Sequence, residues 1–243
     1  MISYLFNILL FDPLYNALVF ITEIIPGHNV AIAIIVLTII VKLLLFPLYH
    51  KSTLAQTKIK ELEPSLKKIK EKYSDTKQEQ AKLTMELYRE HGNNPLTSFA
   101  LLFIQLPIVL ALFWVFSRGF ELNLDILYPF IEAPQYIDLY FLGLIKITEH
   151  SIPLAILVGL TQFIQMQLAI PPLPKTKIDK PTFKDDFARS LNIQMKYIMP
   201  IIIVFIASSL SAAISIYWFT GNLFAIGHEL FVKRKAFQLR KSL

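Results

Sequence analysis

Residues 30–48 read VAIAIIVLTIIVKLLLFPL, apolar throughout except for Thr38 and Lys42. About 20 apolar residues in a helix cover the roughly 30 Å hydrocarbon core of a bilayer. Such a stretch leaves few folds open, because backbone polar groups in lipid must be satisfied within the segment itself. The lysine narrows the choice further. A charge at that depth costs on the order of 2.5–3.5 kcal/mol on insertion scales, so it survives where it meets water, a partner or a substrate. Lys42 lies about seven residues from the expected end of its span, roughly 10 Å at 1.5 Å per residue. Two readings stand side by side: the lysine stem snorkels to the surface, or it faces a hydrated cavity.

The rest of the chain is of the same kind. Its 243 residues are 54% hydrophobic, with a mean hydropathy of +0.51. The bilayer is therefore the solvent for most of it, and one membrane domain over 1–243 is the natural organisation. Cysteine is absent, which excludes disulfides and thiolate metal sites. The apolar N-terminus lacks the basic region and small-residue cleavage site of a signal peptide, and it is not an Arg- and Ser-rich transit peptide, which favours a bacterial protein. Asp12-Pro13 is expected to break the first apolar run. Residues 14–25, ended by Pro26-Gly27, then read as a helix lying in the outer interface; the alternative is one further span from residue 1 to 25.

Five segments can span: 29–49, 96–117, 152–170, 197–210 and 212–232. The second is entered through Asn94-Pro95, a capping residue followed by a first-turn proline. The last two share one long apolar run, with Ser208, Ser209 and Ser211 as the expected turn and two short spans on either side. Between the spans lie charged segments. Residues 51–95 carry ten Lys/Arg, 171–196 carry six and the tail from 233 carries five, against two in 118–151. Alternation across five spans puts all three basic segments on one side, which the positive-inside rule makes cytoplasmic. The expected topology is multi-pass in a bacterial cytoplasmic membrane, with the N-terminus outside and the C-terminus inside.

The polar stretch 51–92 is expected to form a helical hairpin. Leu62, Leu66, Ile69 and Tyr73 recur at helical spacing, as do Ala81, Met85 and Tyr88 after a break at Ser74-Asp75. Pro64 should start or kink its first regular helix. The stripe either closes the hairpin on itself or offers a docking surface.

Every span except the fourth brings a polar face. Thr38 lies one turn before Lys42. Gln105 is in the second span; Gln162 and Gln165, beside Thr161, share a face of the third. Tyr217, Trp218, Thr220 and Asn222 belong to the last. Singly, such groups glue helices together or pack in the core; gathered round one cation with no Asp or Glu in any span core, they suggest a common cavity. Gly227-His228-Glu229 opens like a zinc-protease motif, but the second histidine is missing, Phe231 and Val232 standing in its place. No phosphate loop, nucleophile elbow or carboxylate pair is visible.

Four stretches together carry a resemblance: TIIVKLLLFPL (38–48); LEPSLKKIKEKY (62–73) running on to MELYREHGNNPL (85–96); FIQLPIVLALFWVF (103–116); and KYIMPIII (196–203) with SIYWFTGNLFAI (215–226). TQFIQMQL (161–168) is a weaker match. In order and spacing the chain resembles the YidC/Oxa1/Alb3 family of membrane protein insertases, in its short bacterial form. The resemblance implies an all-α polytopic membrane protein: five core transmembrane helices around a hydrophilic groove open to the cytoplasm, an outer interfacial helix and a cytoplasmic helical hairpin. It implies a chaperone that guides nascent membrane proteins into lipid, with no covalent chemistry and no cofactor. Lys42 takes the place of the family's usual arginine, keeping the charge and losing the planar fork. Thr38, Gln105, Gln162, Gln165 and Asn222 would solvate the polar cargo, and Tyr217 and Trp218 would flank its exit to lipid. The hairpin and the basic tail (Lys233, Arg234, Lys235, Arg240, Lys241) would meet the ribosome, a targeting receptor or a Sec translocon; topology and lipid attraction explain the tail equally well. A small solute transporter or ion channel is the rival class; it predicts intramembrane carboxylates or an inverted repeat, and neither is seen.

Overall fold

The computed structural model describes residues 2–73, 75–92, 96–117, 123–170 and 190–241. The first helix, α1 (2–24), runs straight through the Asp12-Pro13 pair that reads as a break in the sequence. It is built from Ile2–Phe6, a π turn over Asn7–Phe11, and Asp12–Ile24. In the π turn the Asp12 N–H donates to Asn7 O, and the wider turn absorbs the donor that Pro13 lacks. The same device recurs before Pro200, where the π turn Gln194–Ile198 is closed by Met199 N–H donating to Gln194 O.

The chain reverses at Gly27, whose φ of +79° suits a residue without Cβ. Asn29 then caps α2 (Val30–Leu44), its Oδ1 accepting from Ile32 N–H at 3.1 Å. The expected span 29–49 is two helices rather than one. α2 stops at Leu44, and α3 (Phe46–Glu61) leaves at an angle of 59°. Pro47 falls in the first turn of α3, where its missing donor breaks no helical bond.

The hairpin forms from the far part of α3, α4 (Glu63–Lys72) and α5 (Lys77–Glu90), with Pro64 opening α4 as expected. Leu62 is buried, and Leu66, Ile69 and Tyr73 are half-buried. On α5 the inward face differs from the expected Ala81–Met85–Tyr88 stripe. Ala81 and Met85 are exposed, while Leu83, Thr84, Leu87 and Tyr88 turn inward; the leucine pair at i, i+4 is the stronger apolar stripe. Burial pushes the Tyr88 phenol above its ordinary pKa.

α6 (Leu96–Ser117) and α7 (Ile152–Ala169) match their expected bounds closely; Asn94-Pro95 lies outside the described residues. Between them stands a small antiparallel hairpin, β1 (Tyr140–Phe141) on β2 (Ile145–Lys146), which an all-α reading does not foresee. α8 (Ser190–Ser209) starts well before residue 197 and is 20 residues long rather than short, so part of the expected loop 171–196 is helical. After the turn at Leu210-Ser211, α9 (Ala212–Lys241) continues 30 residues through the position where the tail was expected to begin. By length and composition α1, α7, α8 and the bent α2–α3 pair can each cross a membrane. The protein is an all-α polytopic membrane protein in its main architecture.

α9 packs between α2 and α7, α7 packs on α8, and α6 packs on α3. α7 and α8 approach so closely at Gly159 that a Cβ there would fall 2.2 Å from Val204 Cγ2. The apolar core gathers at one end of the bundle, where Ile34, Leu37, Leu112, Ile147 and Ile216 are almost fully buried. That end carries the β hairpin. Ile147 O accepts from Ala213 N–H, Asp138 O accepts from Val30 N–H, and Asn29 Nδ2 donates to Asp138 Oδ2 at 2.6 Å and Tyr140 O at 2.8 Å. α1 lies along the same end. Phe6 meets Trp114 edge-on at 5.1 Å between centroids, Asn16 bonds Ile126 O and Tyr128 N–H at 2.8 and 2.7 Å, and Tyr15 Oη accepts from Asn123 N–H.

Candidate functional site

Lys42 stands in the last turn of α2, where a cation meets the unpaired carbonyl end of the helix dipole. The helix ends two residues later, much closer than an unbroken span to residue 49 would allow. Tyr49 follows Lys42 by seven residues, two helical turns, and comes back to it across the Leu45 bend. Lys42 Nζ donates to Tyr49 Oη at 2.8 Å and lies 4.7 Å from the centre of its ring, a cation–π distance. Tyr49 Oη donates to Gln105 Oε1, and Gln105 Nε2 donates to Tyr217 Oη at 3.3 Å. The chain Lys42–Tyr49–Gln105–Tyr217 thus links α2, α3, α6 and α9, with each donor pointing away from the ammonium, so that successive bonds polarise one another.

A cavity of about 150 Å³ opens beside the ammonium, lined among others by Lys42, Tyr49, Gln165, Phe224, His228 and Glu229. A water needs roughly 10–15 Å³ of such space, so there is room for several. Gln165 is one of the lining residues, and its Oε1 is buried without a hydrogen-bond partner. Such an orphan is costly in a dry site. Lys42 stays without a carboxylate among the described residues; Glu229 has its nearest cation in Lys233, at 3.9 Å. Gly221 faces the lysine stem. A Cβ there would touch Lys42 Cε at 3.4 Å, so the lysine stem lies against the α9 backbone. His228, which lines the cavity, has its Nε2 3.2 Å from His50 Nδ1, with Phe46 packed against both rings.

The other expected site residues divide. Gln165 lines the cavity and Gln105 and Tyr217 join its network. Thr38 is 1% exposed, and its hydroxyl donates to Ile34 O in its own helix at 2.6 Å. Asn222 is buried between α9 and α7, donating to Val158 O at 3.3 Å and Thr161 Oγ1 at 3.1 Å. Trp218 packs half-buried against the apolar core. Gln162 is half-buried and is not among the cavity-lining residues. Lys233, expected in the free tail, donates to Leu168 O at 2.6 Å and so caps α7. Sequence reasoning missed Tyr49, and it weighed His228 and Glu229 only as an incomplete zinc motif. The signal for Tyr49 was its i+7 spacing from Lys42; for His228 it was the 11 residues, three turns, that separate it from Tyr217 on α9.

Residues 20–239 match the 60Kd inner membrane protein family. The chain belongs to that family. A protein from Clostridium tetani (strain Massachusetts / E88), named membrane protein insertase YidC, is 33% identical over 209 residues, 86% of this chain and 84% of that protein. A second so named, from Francisella tularensis subsp. novicida (strain U112), is 30% identical over 206 residues, 85% of this chain. The alignment spans only 33% of that longer relative. The family and the apolar helices together make the chain a multi-pass protein of the bacterial inner membrane.

Proposed function

We propose that this membrane protein insertase passes the polar part of a nascent membrane protein along a hydrophilic groove whose cation is Lys42. The groove is framed by five core helices, α2, α6, α7, α8 and α9, in a single domain over 1–243. It opens to the cytoplasm at the cavity end and is closed at the hairpin end. The N-terminus lies outside and the C-terminus inside; residues 14–25 rest in the outer interface, where Tyr15 and Asn16 bond the 123–128 segment. The hairpin over 51–92 and the part of the segment 171–196 that precedes α8 are cytoplasmic.

The mechanism is solvation, without covalent chemistry. An extended chain crossing hydrocarbon leaves backbone and side-chain polar groups unsatisfied, at several kcal/mol for each group. A wet cavity reaching part-way into the bilayer shortens that dry path. Lys42 attracts an acidic segment more strongly than it would in bulk water, because the local dielectric is low. Gln165 and Gln105 supply uncharged polar contacts near it. Tyr217 anchors the hydrogen-bonded wall, while Thr38 and Asn222 hold the helices that form it. Release into lipid needs no fuel, since burying an apolar helix is downhill. The hairpin, with Arg234, Lys235, Arg240 and Lys241, is the candidate contact for a ribosome or targeting receptor, and a Sec translocon is a candidate neighbour.

The observation that carries this reading is the ammonium itself: hydrogen-bonded to a phenol at the edge of a cavity that Gln165 also lines, and with no carboxylate partner among the described residues. Charge replacement tests it. Insertion into vesicles of a client with an acidic translocated segment should be lost in Lys42→Glu and retained in Lys42→Arg. Equal insertion by both variants would remove Lys42 from the mechanism.

A further inference from the structure

We propose that the tip of the β1–β2 hairpin is a lipid anchor, seated in the membrane leaflet at the closed end of the bundle. The tip is the turn Phe141-Leu142-Gly143-Leu144, closed by Leu144 N–H donating to Phe141 O at 3.1 Å. Both central residues sit at positive φ, Leu142 at 52° and Gly143 at 68°. A hairpin turn of this hand strongly favours asparagine or aspartate followed by glycine, because branched and bulky side chains avoid left-handed backbone. Here the asparagine position is leucine, and burial does not compensate: Leu142 is 77% exposed and Leu144 83%. A turn in water gains nothing from placing leucine there. A turn in lipid gains from every methylene it buries.

The surroundings fit one occupant. From Leu139 to Ile145 there is no charged residue. The nearest charges, Asp138 and the Lys146–Glu149 pair, stand at the base; Asp138 is tied to Asn29 and Lys146 to Glu149 at 3.2 Å. The base is fixed rigidly on the ends of α2 and α9 by the Asn29 and Ala213 bonds described above, so the tip is held in one place. Tyr140, on the same hairpin, and Tyr136, just before it, are exposed, and such amphipathic rings favour the membrane–water boundary. Ile32, in the first turn of α2, and Ile152 and Ile156, near the start of α7, are exposed apolar residues as well. The occupant is therefore acyl chain and glycerol of ordinary phospholipid, with no headgroup specificity.

The absence of cysteine from the chain makes the test clean. Leu142→Cys, Leu144→Cys and, as the water-exposed control, Glu149→Cys are each labelled with an environment-sensitive fluorophore in the full-length protein. They are then reconstituted in phosphatidylcholine–phosphatidylglycerol vesicles. Labels at 142 and 144 should be quenched by a shallow nitroxide lipid severalfold more than the label at 149, and shielded from aqueous iodide by a similar factor. Iodide quenching at 142 and 144 equal to that at 149 would overturn the proposal. So would shielding from both quenchers that disappears when the protein is diluted in lipid, because a second copy would then be covering the tip. A further variant, Leu142→Asn, suits the left-handed turn better than leucine. In it the Leu144→Cys label should lose nitroxide quenching while circular dichroism and expression stay unchanged; unchanged quenching contradicts the anchor.

Discussion

At the hairpin end of the bundle, Ile34, Leu37, Leu112, Ile147 and Ile216 bury one another almost completely, and exposed backbone is pinned by Asn29, Asp138 and Ala213. One to two turns further along α2, the ammonium of Lys42 borders a cavity of about 150 Å³ that Gln165 also lines, its buried amide oxygen left without a partner. The same helix thus ends in a sealed apolar plug on one side and an open polar chamber on the other. Close packing is what makes a barrier, since a void would admit water or forfeit contact energy. Polar groups left only partly satisfied are what make a chamber wet. A protein that conducts polar chain part-way across hydrocarbon needs both, in that order along one axis.

The largest expected effect comes from reversing the chamber's charge. In Lys42→Glu, insertion of an acidic client should fall by at least about tenfold, since a unit charge pair at 4 Å in an effective dielectric near 20 is worth about 4 kcal/mol; a client with an uncharged translocated segment should suffer much less. Ile34→Ala strikes the plug instead. It should cost roughly 2–5 kcal/mol of stability, read as a lowered midpoint of unfolding in mild detergent. Gly159→Ala presses a methyl into Val204, and about 1–3 kcal/mol of overpacking is expected; Val204→Ala in the same chain should recover most of it, which separates a steric cause from a helix-propensity one. The smallest effect should be Thr38→Val. Its hydroxyl is committed to Ile34 O, so insertion should change by less than about twofold, and a large loss would return Thr38 to the chamber.

The sequence made these two ends partly visible. Hydropathy and proline placement located α6 and α7 almost to the residue, because an apolar run flanked by capping residues has few alternatives. It failed at Asp12-Pro13 and around Lys196, where a π turn carries a helix across a proline, a solution that leaves no trace in the pattern of residue types. It also failed at Leu45. Residues 43–48 are apolar on both sides of the bend, and only Pro47, placed for a helix start, hinted at it. Lys42, Gln105, Gln165 and Tyr217 were legible as polar groups within apolar runs. Thr38 and Asn222 look the same in sequence, but their hydrogen bonds are spent on helix backbone and on a neighbouring helix. Which of these roles a buried polar group takes depends on helix rotation, which a weak apolar periodicity does not specify. The β hairpin escaped notice because two-residue strands are too short to show alternation.

The central claim is that the chamber beside Lys42, and not the plug, receives the nascent chain. Site-specific photo-crosslinking during translation tests it, with the photoreactive residue at Gln165 in the chamber and, for comparison, at Leu139 at the hairpin end. Stalled membrane-protein chains of increasing length should be captured from position 165 over a defined window of lengths, and not from 139. Capture from 139 with none from 165, across several clients, would contradict the account.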